Sequence, residues 1–391
     1  MVVWDDDLAA YDFGAGHPLA PIRVQLAMHL VRDLGLLEVP GVSVVAPLEV
    51  DDDLVLTVHD PDFVEAVVRA SLDPTQHDLG HGLGTDDVPT FRGMHEASRA
   101  VCGATLAATQ AVHSGRAVHA VNLAGGLHHA MPGAAGGFCV YNDIAVSIQW
   151  LLDQGVERVA YVDVDVHHGD GVQAAFWDDP RVLTISVHES GRSLYPGTGF
   201  PSETGGPAAV GSAVNISLPA GTDDNGWLRA FHGVVPQLVE HFRPAYLVTQ
   251  LGCDTHADDP LGHLTLSVDG QRMTYEALHR LAHRVTEGRW IATGGGGYSW
   301  VDVVPRAWAH LVGELVGSPV APETPVPLVW RDRVEALLSL PTPALMTDGC
   351  VPWVRSWEAG YDPADPIDAA VLRTREAVFP HHGLAADPYG L

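Results

Sequence analysis

The chain has 391 residues, of which 46% are hydrophobic, and this is enough to bury the large core of an α/β fold that runs as one unit. Its 49 acidic residues against 21 Lys and Arg give a formal net charge of −28, which disfavours nucleic acid and anionic membranes as partners and favours cationic ones. The alternative interpretation of this charge is a surface that only maintains solubility.

Five short apolar runs rich in β-branched residues are typical of parallel strands that are buried on both faces. In chain order these runs are Val118–Leu123, Val159–Val166, Val182–Val187, Tyr246–Leu251 and Trp290–Thr293. The stretches between them are amphipathic and predict helices. Such alternation predicts a mostly parallel sheet that is covered by helices on both faces, with functional sites beyond the carboxyl ends of the strands.

Three of the predicted helices have distinctive sequences. In two of them the apolar residues share one helical face. These residues are Ile144, Ile148, Leu151 and Leu152 in the first, and Leu278, Leu281, Ala282 and Val285, followed by a stop at Gly288, in the second. The third helix, Trp227–Phe242, contains Pro236, which we expect to kink it or split it.

Polar clusters follow four of the predicted strands. They are Gly125–Ala130, Asp163–Asp170, Gly252–Asp254 and Thr293–Tyr298. A double histidine alone is also typical of a helix start or a core pair, and a glycine run alone is typical of a turn or a phosphate-binding loop. Together, and in this order, the four clusters indicate one catalytic site.

The second cluster carries the most information. Because alternate residues of a strand point the same way, Asp163, Asp165 and His167 share one face. Carboxylates inside an apolar strand are costly unless they are paired or bind a metal. Structural ion pairs would need cations, but no Lys or Arg lies between Arg158 and Arg181. A divalent metal or His partners would supply the missing charge.

Asp165 and His167 offer two metal ligands, and Asp254, at the end of another strand, could supply a third. Three protein ligands plus water is the open arrangement of catalytic zinc, on which water ionises near neutral pH. Either His128 or His129 could then act as the base.

The clusters resemble those of the histone deacetylase family, with the greatest similarity to bacterial acetoin-utilization-type deacetylases. The resemblance runs from about Tyr11 to Leu315 and includes further matching stretches: His17–Arg23, Gly136–Cys139, Tyr195–Gly199, Gly252–Pro260 and Gly294–Tyr298. It implies the arginase-deacetylase fold, a single α/β domain around an eight-stranded parallel sheet. We assign residues 1–317 to the catalytic domain. The Pro-rich change of composition after Ser318 marks residues 318–391 as a C-terminal extension packed on the core.

The resemblance also implies a role for each site residue. One Zn²⁺ per chain would be held by Asp165, His167 and Asp254. The implied catalytic residues are His128 paired with Asp163, His129 paired with Asp170, and Tyr298. In this arrangement His129 is the general base, His128 the electrostatic partner, and Tyr298 the donor to the oxyanion. Because Tyr298 follows four glycines, we expect its ring to swing toward the site.

Substrate contacts and a second cation follow from the same resemblance. The implied substrate-binding residues are Asp87, Gly137, Phe138, Tyr195 and Leu261, with the two aromatic rings gripping the lysine methylenes in a narrow tunnel. Tyr195 stands where many members have Phe, and Leu261 where Met is frequent. A structural K⁺ is implied at Asp163, Asp165, His167, Ser186 and Val187.

The expected reaction is hydrolysis of the acetyl amide of acetylated lysine in proteins, with release of acetate. The first alternative is the same chemistry on acetylated polyamines or other small acetylated amines. A two-manganese ureohydrolase would want an Asp where His256 stands, and a non-enzymatic relative should have lost a ligand, a base or the tyrosine. The ligand set also tolerates Fe²⁺.

The cysteines and the N-terminal segment bear on localisation. Four scattered cysteines without a CxxC pair argue against a thiolate zinc site and against a disulfide framework: Cys102, Cys139, Cys253 and Cys350. The acidic start Met1–Asp7 lacks the features of a signal peptide, and no apolar run is long enough to span a bilayer. We therefore expect a cytoplasmic protein.

Overall fold

Eight strands form one parallel sheet in the computed structural model, which describes residues 1–387. The strands are β1 (Val2–Val3), β2 (Val44–Val45), β3 (His119–Asn122), β4 (Val159–Asp163), β5 (Val182–Glu189), β6 (Ala213–Leu218), β7 (Tyr246–Gln250) and β8 (Trp290–Thr293). Their order in the sheet is β2-β1-β3-β8-β7-β4-β5-β6. The predicted α/β class and the eight-stranded parallel sheet are confirmed.

The five predicted apolar runs form β3, β4, β5, β7 and β8, but β4 is shorter than predicted. It ends at Asp163 instead of Val166. The Val164 amide still donates to the Gln250 carbonyl of β7 at 3.1 Å, but later amides donate to side-chain carboxylates. Val166 donates to Asp254 at 2.8 Å, and His167 donates to Asp165 at 3.0 Å. The carboxylates of the site therefore replace the neighbouring strand as hydrogen-bond acceptors.

Helices cover the sheet in two packed series. Within residues 1–387 they are α1 (Ile22–Asp33), α2 (Asp52–Val55), α3 (Pro61–Leu72), α4 (Met94–His113), α5 (Asp143–Asp153), α6 (Asp170–Ala175), α7 (Asp224–Phe242), α8 (Val268–Thr286), α9 (Val304–Leu315), α10 (Leu328–Leu338) and α11 (Pro366–Val378). Successive contacts link α11, α7, α8, α9, α1 and α10 in one series, and α3, α4, α5 and α6 in the other.

Helix α7 continues through Pro236, so it is not split as we considered. A proline inside a helix costs about 3 kcal/mol because it removes one hydrogen bond and crowds the preceding turn. The helix compensates by burying an apolar stripe that includes Phe231, Val235 and Leu238, each fully buried. At its start, the Asp223 side chain accepts a hydrogen bond from the amide of Gly226 and caps the helix.

The segment from residue 318 onward contributes α10 and α11. The Trp330 indole of α10 donates to the carbonyl of Leu26 in α1 at 2.9 Å. The Thr374 hydroxyl of α11 donates to the carbonyl of Asn215 in β6 at 2.7 Å. Both helices thus contact elements from the first 317 residues. The boundary of the extension at residue 318 stays a prediction. None of the helices described in residues 1–387 has the length and apolar character needed to cross a membrane.

Candidate metal centre and active site

The polar clusters meet at the carboxyl ends of β3, β8, β7 and β4, which are neighbours in the sheet. They surround a cavity of about 270 Å³. Residues that line it include His128, His129, Asp165, His167 and Tyr298. The cavity thus lies at the sheet edge where parallel α/β folds form their sites.

Asp165, His167 and Asp254 converge at this edge. The Nδ1 atom of His167 lies 3.1 Å from Oδ1 of Asp165 and 3.2 Å from Oδ2 of Asp254. The possible ligand atoms of the three residues all lie within 4.8 Å of one another. All three side chains are buried. The arrangement matches the two-oxygen, one-nitrogen ligand set expected from the sequence.

Fixed hydrogen bonds orient the two carboxylates. Oδ2 of Asp165 accepts from the side-chain amide of Gln250 at 2.6 Å and from the backbone amide of Gly296 at 2.8 Å. Oδ1 of Asp254 accepts from the amide of Val166. Outer partners of this kind fix the direction of metal ligands.

When both carboxylates are ionised, the three buried groups carry more negative charge than the imidazole alone can balance. Burial and the neighbouring Asp165 carboxylate raise the pKa of Asp254 to about 8. Burial opposes protonation of His167, but its hydrogen bonds to Asp165 and Asp254 raise its pKa to about 10. Within residues 1–387, the ion-pair partners of both carboxylates are histidines and not Lys or Arg. A divalent cation would supply the balancing charge.

Each of the two adjacent histidines has its own carboxylate. Nδ1 of His128 lies 2.7 Å from Oδ2 of Asp163, and Nδ1 of His129 lies 2.6 Å from Oδ1 of Asp170. Because an ionised carboxylate only accepts, each Nδ1 carries a proton, and Nε2 is the atom left for chemistry in the cavity.

The surroundings move the pKa values of the two histidines in opposite directions. Burial opposes protonation of His128, but the carboxylates of Asp163 and Asp165 outweigh it and raise the pKa to about 9. Burial and the positive charge of His128 lower the pKa of His129 to about 4, against the effect of Asp170. At neutral pH one ring is a cation and the other is a free base.

Tyr298 lines the same cavity with a protonated hydroxyl. Burial, with the carboxylates of Asp254 and Asp165, raises its pKa well above 10. Its backbone amide donates to Asp259 at 2.7 Å, and the Arg23 guanidinium lies 5.8 Å from its ring centroid. These contacts hold the residue at the cavity wall.

The glycines before Tyr298 allow the backbone to pack closely. A Cβ atom on Gly296 would lie 2.0 Å from Oδ2 of Asp254, and one on Gly295 would lie 2.2 Å from the Gln250 amide. The backbone therefore packs directly against Asp254 and Gln250, where no side chain fits. Tyr298 is a positioned residue on a packed loop.

The predicted substrate-binding residues all line the cavity: Asp87, Gly137, Phe138, Tyr195 and Leu261. The Tyr195 side chain is 48% exposed and meets the His129 ring edge-on at 5.0 Å between centroids. The Phe138 ring packs edge-on against Tyr298 at 5.7 Å. Asp87 accepts a hydrogen bond from the Gly137 amide at 2.7 Å, so it also fixes the loop that carries Phe138.

The residues of the predicted K⁺ site lie on β4, on β5 and in the segment that follows β4. Asp163 of β4 is paired in register with Ser186 of β5, next to the fully buried Val187. Oδ2 of Asp163 also accepts from the Tyr161 hydroxyl at 2.5 Å. The K⁺ site remains a prediction.

Three residues support the site without having been assigned a role from the sequence. They are Arg23, Gln250 and Asp259. Arg23 donates to the carbonyls of Gly297 at 2.8 Å and Gly295 at 2.7 Å, which fixes the glycine loop from behind. Gln250 had a usable signal, because it is a polar residue at the end of an apolar strand. Arg23 and Asp259 lie in the matching stretches His17–Arg23 and Gly252–Pro260, but no local pattern there indicates which groups they contact.

Comparison with known proteins gives a consistent result. A family model described as "Histone deacetylase domain" matches residues 17–315. The chain is 39% identical over 344 residues to the acetoin utilization protein AcuC of Bacillus subtilis (strain 168), with 88% of each chain covered. It is 37% identical to AcuC of Staphylococcus aureus (strain MRSA252), with 85% of each chain covered. AcuC of Staphylococcus xylosus is 34% identical, over 87% of this chain and 89% of the relative.

Proposed function

The chain belongs to the histone deacetylase family and is a deacetylase of the acetoin-utilization type, and on that premise we propose that it is a zinc-dependent enzyme that removes acetyl groups from acetylated lysine side chains. The observation that carries this proposal is the convergence of Asp165, His167 and Asp254 next to a cavity whose floor Asp165 and His167 line. Two histidines whose pKa values are shifted in opposite directions border the same cavity.

The residues at the floor fit a divalent zinc ion. Two carboxylates and one imidazole are common zinc ligands, and three protein ligands leave a position open for chemistry. When bound there, zinc supplies Lewis-acid chemistry, since it acidifies water and polarises a carbonyl group. Imidazole and carboxylate also accept Fe²⁺, so the metal itself has to be measured.

The protein groups can then divide the proton transfers of amide hydrolysis. The neutral His129 accepts a proton at Nε2 from the attacking water and later delivers it to the leaving amine. Asp170 keeps the His129 ring oriented. The cationic His128 stabilises negative charge that develops at the former carbonyl, and the Tyr298 hydroxyl donates a hydrogen bond to the same oxygen. Collapse of the tetrahedral intermediate releases acetate and the free amine.

The cavity walls suit a linear aliphatic chain that ends in an amide. Phe138 and Tyr195 provide aromatic surface on the way to the floor, and Leu261 adds apolar surface. The carbonyl of Gly137 is an acceptor available to the substrate amide. The net charge of −28 favours substrates rich in Lys or Arg. Acetylated polyamines share this chemistry and are the alternative substrate class.

The proposal is tested by turnover of a substrate panel with metal analysis. Purified chain loaded with Zn²⁺ or with Fe²⁺ is assayed on acetyl-lysine peptides and on acetylated polyamines. We expect release of acetate from the peptides, with one metal ion lost together with activity in Asp254→Ala. The matched control is Asp258→Ala, which removes an exposed carboxylate four residues away. Full metal retention by Asp254→Ala would contradict the ligand assignment, and turnover of polyamines alone would contradict the substrate class.

A further inference from the structure

A second histidine cluster lies at the opposite edge of the sheet from the cavity. It consists of His119, His279 and His283, which we call the histidine trio. His119 is the first residue of β3, whereas the catalytic histidines follow the carboxyl end of the same strand. His279 and His283 are four residues apart on α8 and therefore lie on one face of that helix. The proposed deacetylase chemistry does not use these residues.

The three rings converge through the same atom. Nε2 of His119 lies 3.1 Å from Nε2 of His283 and 3.2 Å from Nε2 of His279. The Nε2 atoms of His279 and His283 lie 3.1 Å apart. Three nitrogens thus form a nearly equilateral triangle, and each ring presents its outermost nitrogen to the centre.

The outer nitrogens determine which tautomers the neutral rings adopt. Nδ1 of His119 lies 2.7 Å from the Gly288 carbonyl, and Nδ1 of His279 lies 3.4 Å from Oε2 of Glu314. Since both partners are acceptors, both Nδ1 atoms carry the proton, and the Nε2 atoms of these two rings present lone pairs. Only Nε2 of His283 could still carry a proton, so at most one N–H group serves the three Nε2–Nε2 contacts. Such an arrangement is repulsive unless a cation lies among the three atoms.

The trio also has the outer partners that are typical of metal-binding imidazoles. A backbone carbonyl behind His119 and a carboxylate behind His279 fix the rings and increase their basicity. Glu314 is 6% exposed, and its only ion pair described in residues 1–387 is with His279. The Trp290 ring stacks on His279 at 5.8 Å between centroids. Two of the three rings are therefore held in place before any ion arrives.

We propose that the histidine trio is a second metal site, which binds a divalent transition-metal ion of the zinc class through three Nε2 atoms. Zinc–imidazole bonds of about 2.0–2.1 Å in a tetrahedral arrangement separate the nitrogens by about 3.3 Å, close to the spacing of the trio. His283 is exposed, so water can occupy a fourth position. Imidazole ligands without carboxylates favour Zn²⁺, Ni²⁺ or Cu²⁺ over Mg²⁺ and Ca²⁺.

The position of the trio indicates a structural consequence of binding. The ion would join the last two turns of α8 to the start of β3, across the turn at Gly288 that leads into β8. Because binding to the folded state alone stabilises it, Zn²⁺ should raise the melting temperature of the protein. In Asp254→Ala, which lacks a ligand of the catalytic site, this rise reports on the trio.

Metal stoichiometry tests the proposal. Each variant is stripped with a chelator, loaded with Zn²⁺, passed through a desalting column and measured by mass spectrometry of the metal. Asp254→Ala removes one of the three catalytic ligands and is expected to lose the catalytic ion. An ion that this variant retains is therefore bound by the trio. We expect one ion per chain in Asp254→Ala and none when His279→Ala and His283→Ala are added. The matched control is His241→Ala, which removes an exposed histidine from the last turn of α7.

Two further measurements use readouts other than activity. Co²⁺ added to Asp254→Ala should give the visible absorption of a tetrahedral ion, and this absorption should be absent from the variant that also lacks His279 and His283. Glu314→Gln should weaken Zn²⁺ binding about 10-fold, because a carboxylate behind a ligating imidazole typically has an effect of this size.

The outcomes separate this site from the catalytic one. His279→Ala with His283→Ala in an otherwise unchanged chain should keep full deacetylase turnover and show a smaller Zn²⁺-dependent rise in melting temperature, because only the catalytic ion remains. An Asp254→Ala chain that holds no ion after loading would overturn the proposal. So would an ion that persists after the trio histidines are removed.

Discussion

At the scale of single residues, the active site separates two neighbouring histidines by charge. His128 and His129 have nearly the same hydrogen-bond distance to a carboxylate, 2.7 and 2.6 Å. The difference arises because His128 also lies near Asp165, with 3.9 Å between Nε2 and Oδ1. The positive charge of His128 then lowers the pKa of His129. Two identical side chains can then serve as a cation and a base at the same pH.

The first prediction concerns the pH dependence of kcat/KM, which reports on the free enzyme. His129 must be neutral to act as the base, so activity should fall as the pH decreases through about 4. His128 must be protonated, so activity should fall as the pH rises through about 9. His128→Gln should remove the alkaline fall and keep the acid one.

The size of the effect distinguishes the two roles. His129→Ala should lower kcat by about 10²–10⁴-fold, as expected for loss of a general base. His128→Ala should lower it less, and both variants should keep the metal bound to Asp165, His167 and Asp254. A larger loss in His128→Ala would reverse the two assignments.

The second prediction concerns Tyr298. Tyr298→Phe should lower kcat by about 10²–10³-fold, because one donor to an oxyanion typically contributes this much. Metal content and binding of acetylated substrate should be unchanged, since the hydroxyl acts when negative charge develops. Single-turnover kinetics and metal analysis check both parts. Near-normal turnover would mean that the ring serves only in packing against Phe138.

The residues with the strongest sequence signals are those that converge at the proposed metal centre. Asp165 and His167 stood out because no basic residue lies nearby in the sequence. The supporting residues Arg23 and Asp259 could not be found in this way, because each acts on a loop far away in the chain. Arg23 contacts carbonyls 272 and 274 residues later. No local pattern encodes such a contact.

At the scale of elements, buried parallel strands were predictable where their sequence is apolar throughout. β1 and β2 are only two residues long, too short for a periodic signal. β6 was not predicted, because Asn215 and Ser217 interrupt its apolar pattern although both are buried. Asn215 compensates for its burial by donating hydrogen bonds to the Gln173 side chain at 2.8 Å and the Glu203 carbonyl at 3.1 Å. The sheet with eight strands was therefore predictable only through the family resemblance.

The third prediction tests how α11 is attached to α7. Arg229 of α7 makes two hydrogen bonds to Asp368 of α11, at 2.7 and 3.0 Å, and both side chains are buried. Asp368→Ala leaves the buried guanidinium with backbone carbonyls only and without its carboxylate partner. Breaking a buried ion pair in this way typically costs about 3–5 kcal/mol. Urea denaturation should show this loss in the free energy of unfolding. The matched control is Asp332→Ala, an exposed carboxylate of α10, which should change stability by less than about 0.5 kcal/mol. Equal stability of the two variants would contradict a tightly packed α11.

At the scale of the whole molecule, the acidic surface should act on the rate of substrate encounter. A net charge of −28 attracts a cationic peptide over long distances, and salt screens this attraction. The fourth prediction compares acetyl-lysine peptides flanked by Lys and Arg with peptides flanked by Gly and Ser. Between low and high ionic strength, kcat/KM should fall about 10-fold for the basic peptide. The neutral peptide serves as the control, and its kcat/KM should change little. Equal salt dependence of both peptides would indicate that the surface charge serves only solubility.

The order of the strands has a consequence for how the chain is made. β8 is the last strand to be synthesised, yet it lies between β3 and β7 in the finished sheet. β3 ends at Asn122 and β8 begins at Trp290, so at about 5–20 residues per second β3 waits roughly ten to thirty seconds on the ribosome for this neighbour. Until then the nascent chain presents unpaired strand edges, which favour aggregation. We therefore expect the nascent chain to depend most on chaperones before Trp290 is synthesised. Ribosomes stalled just before Trp290 should show this dependence.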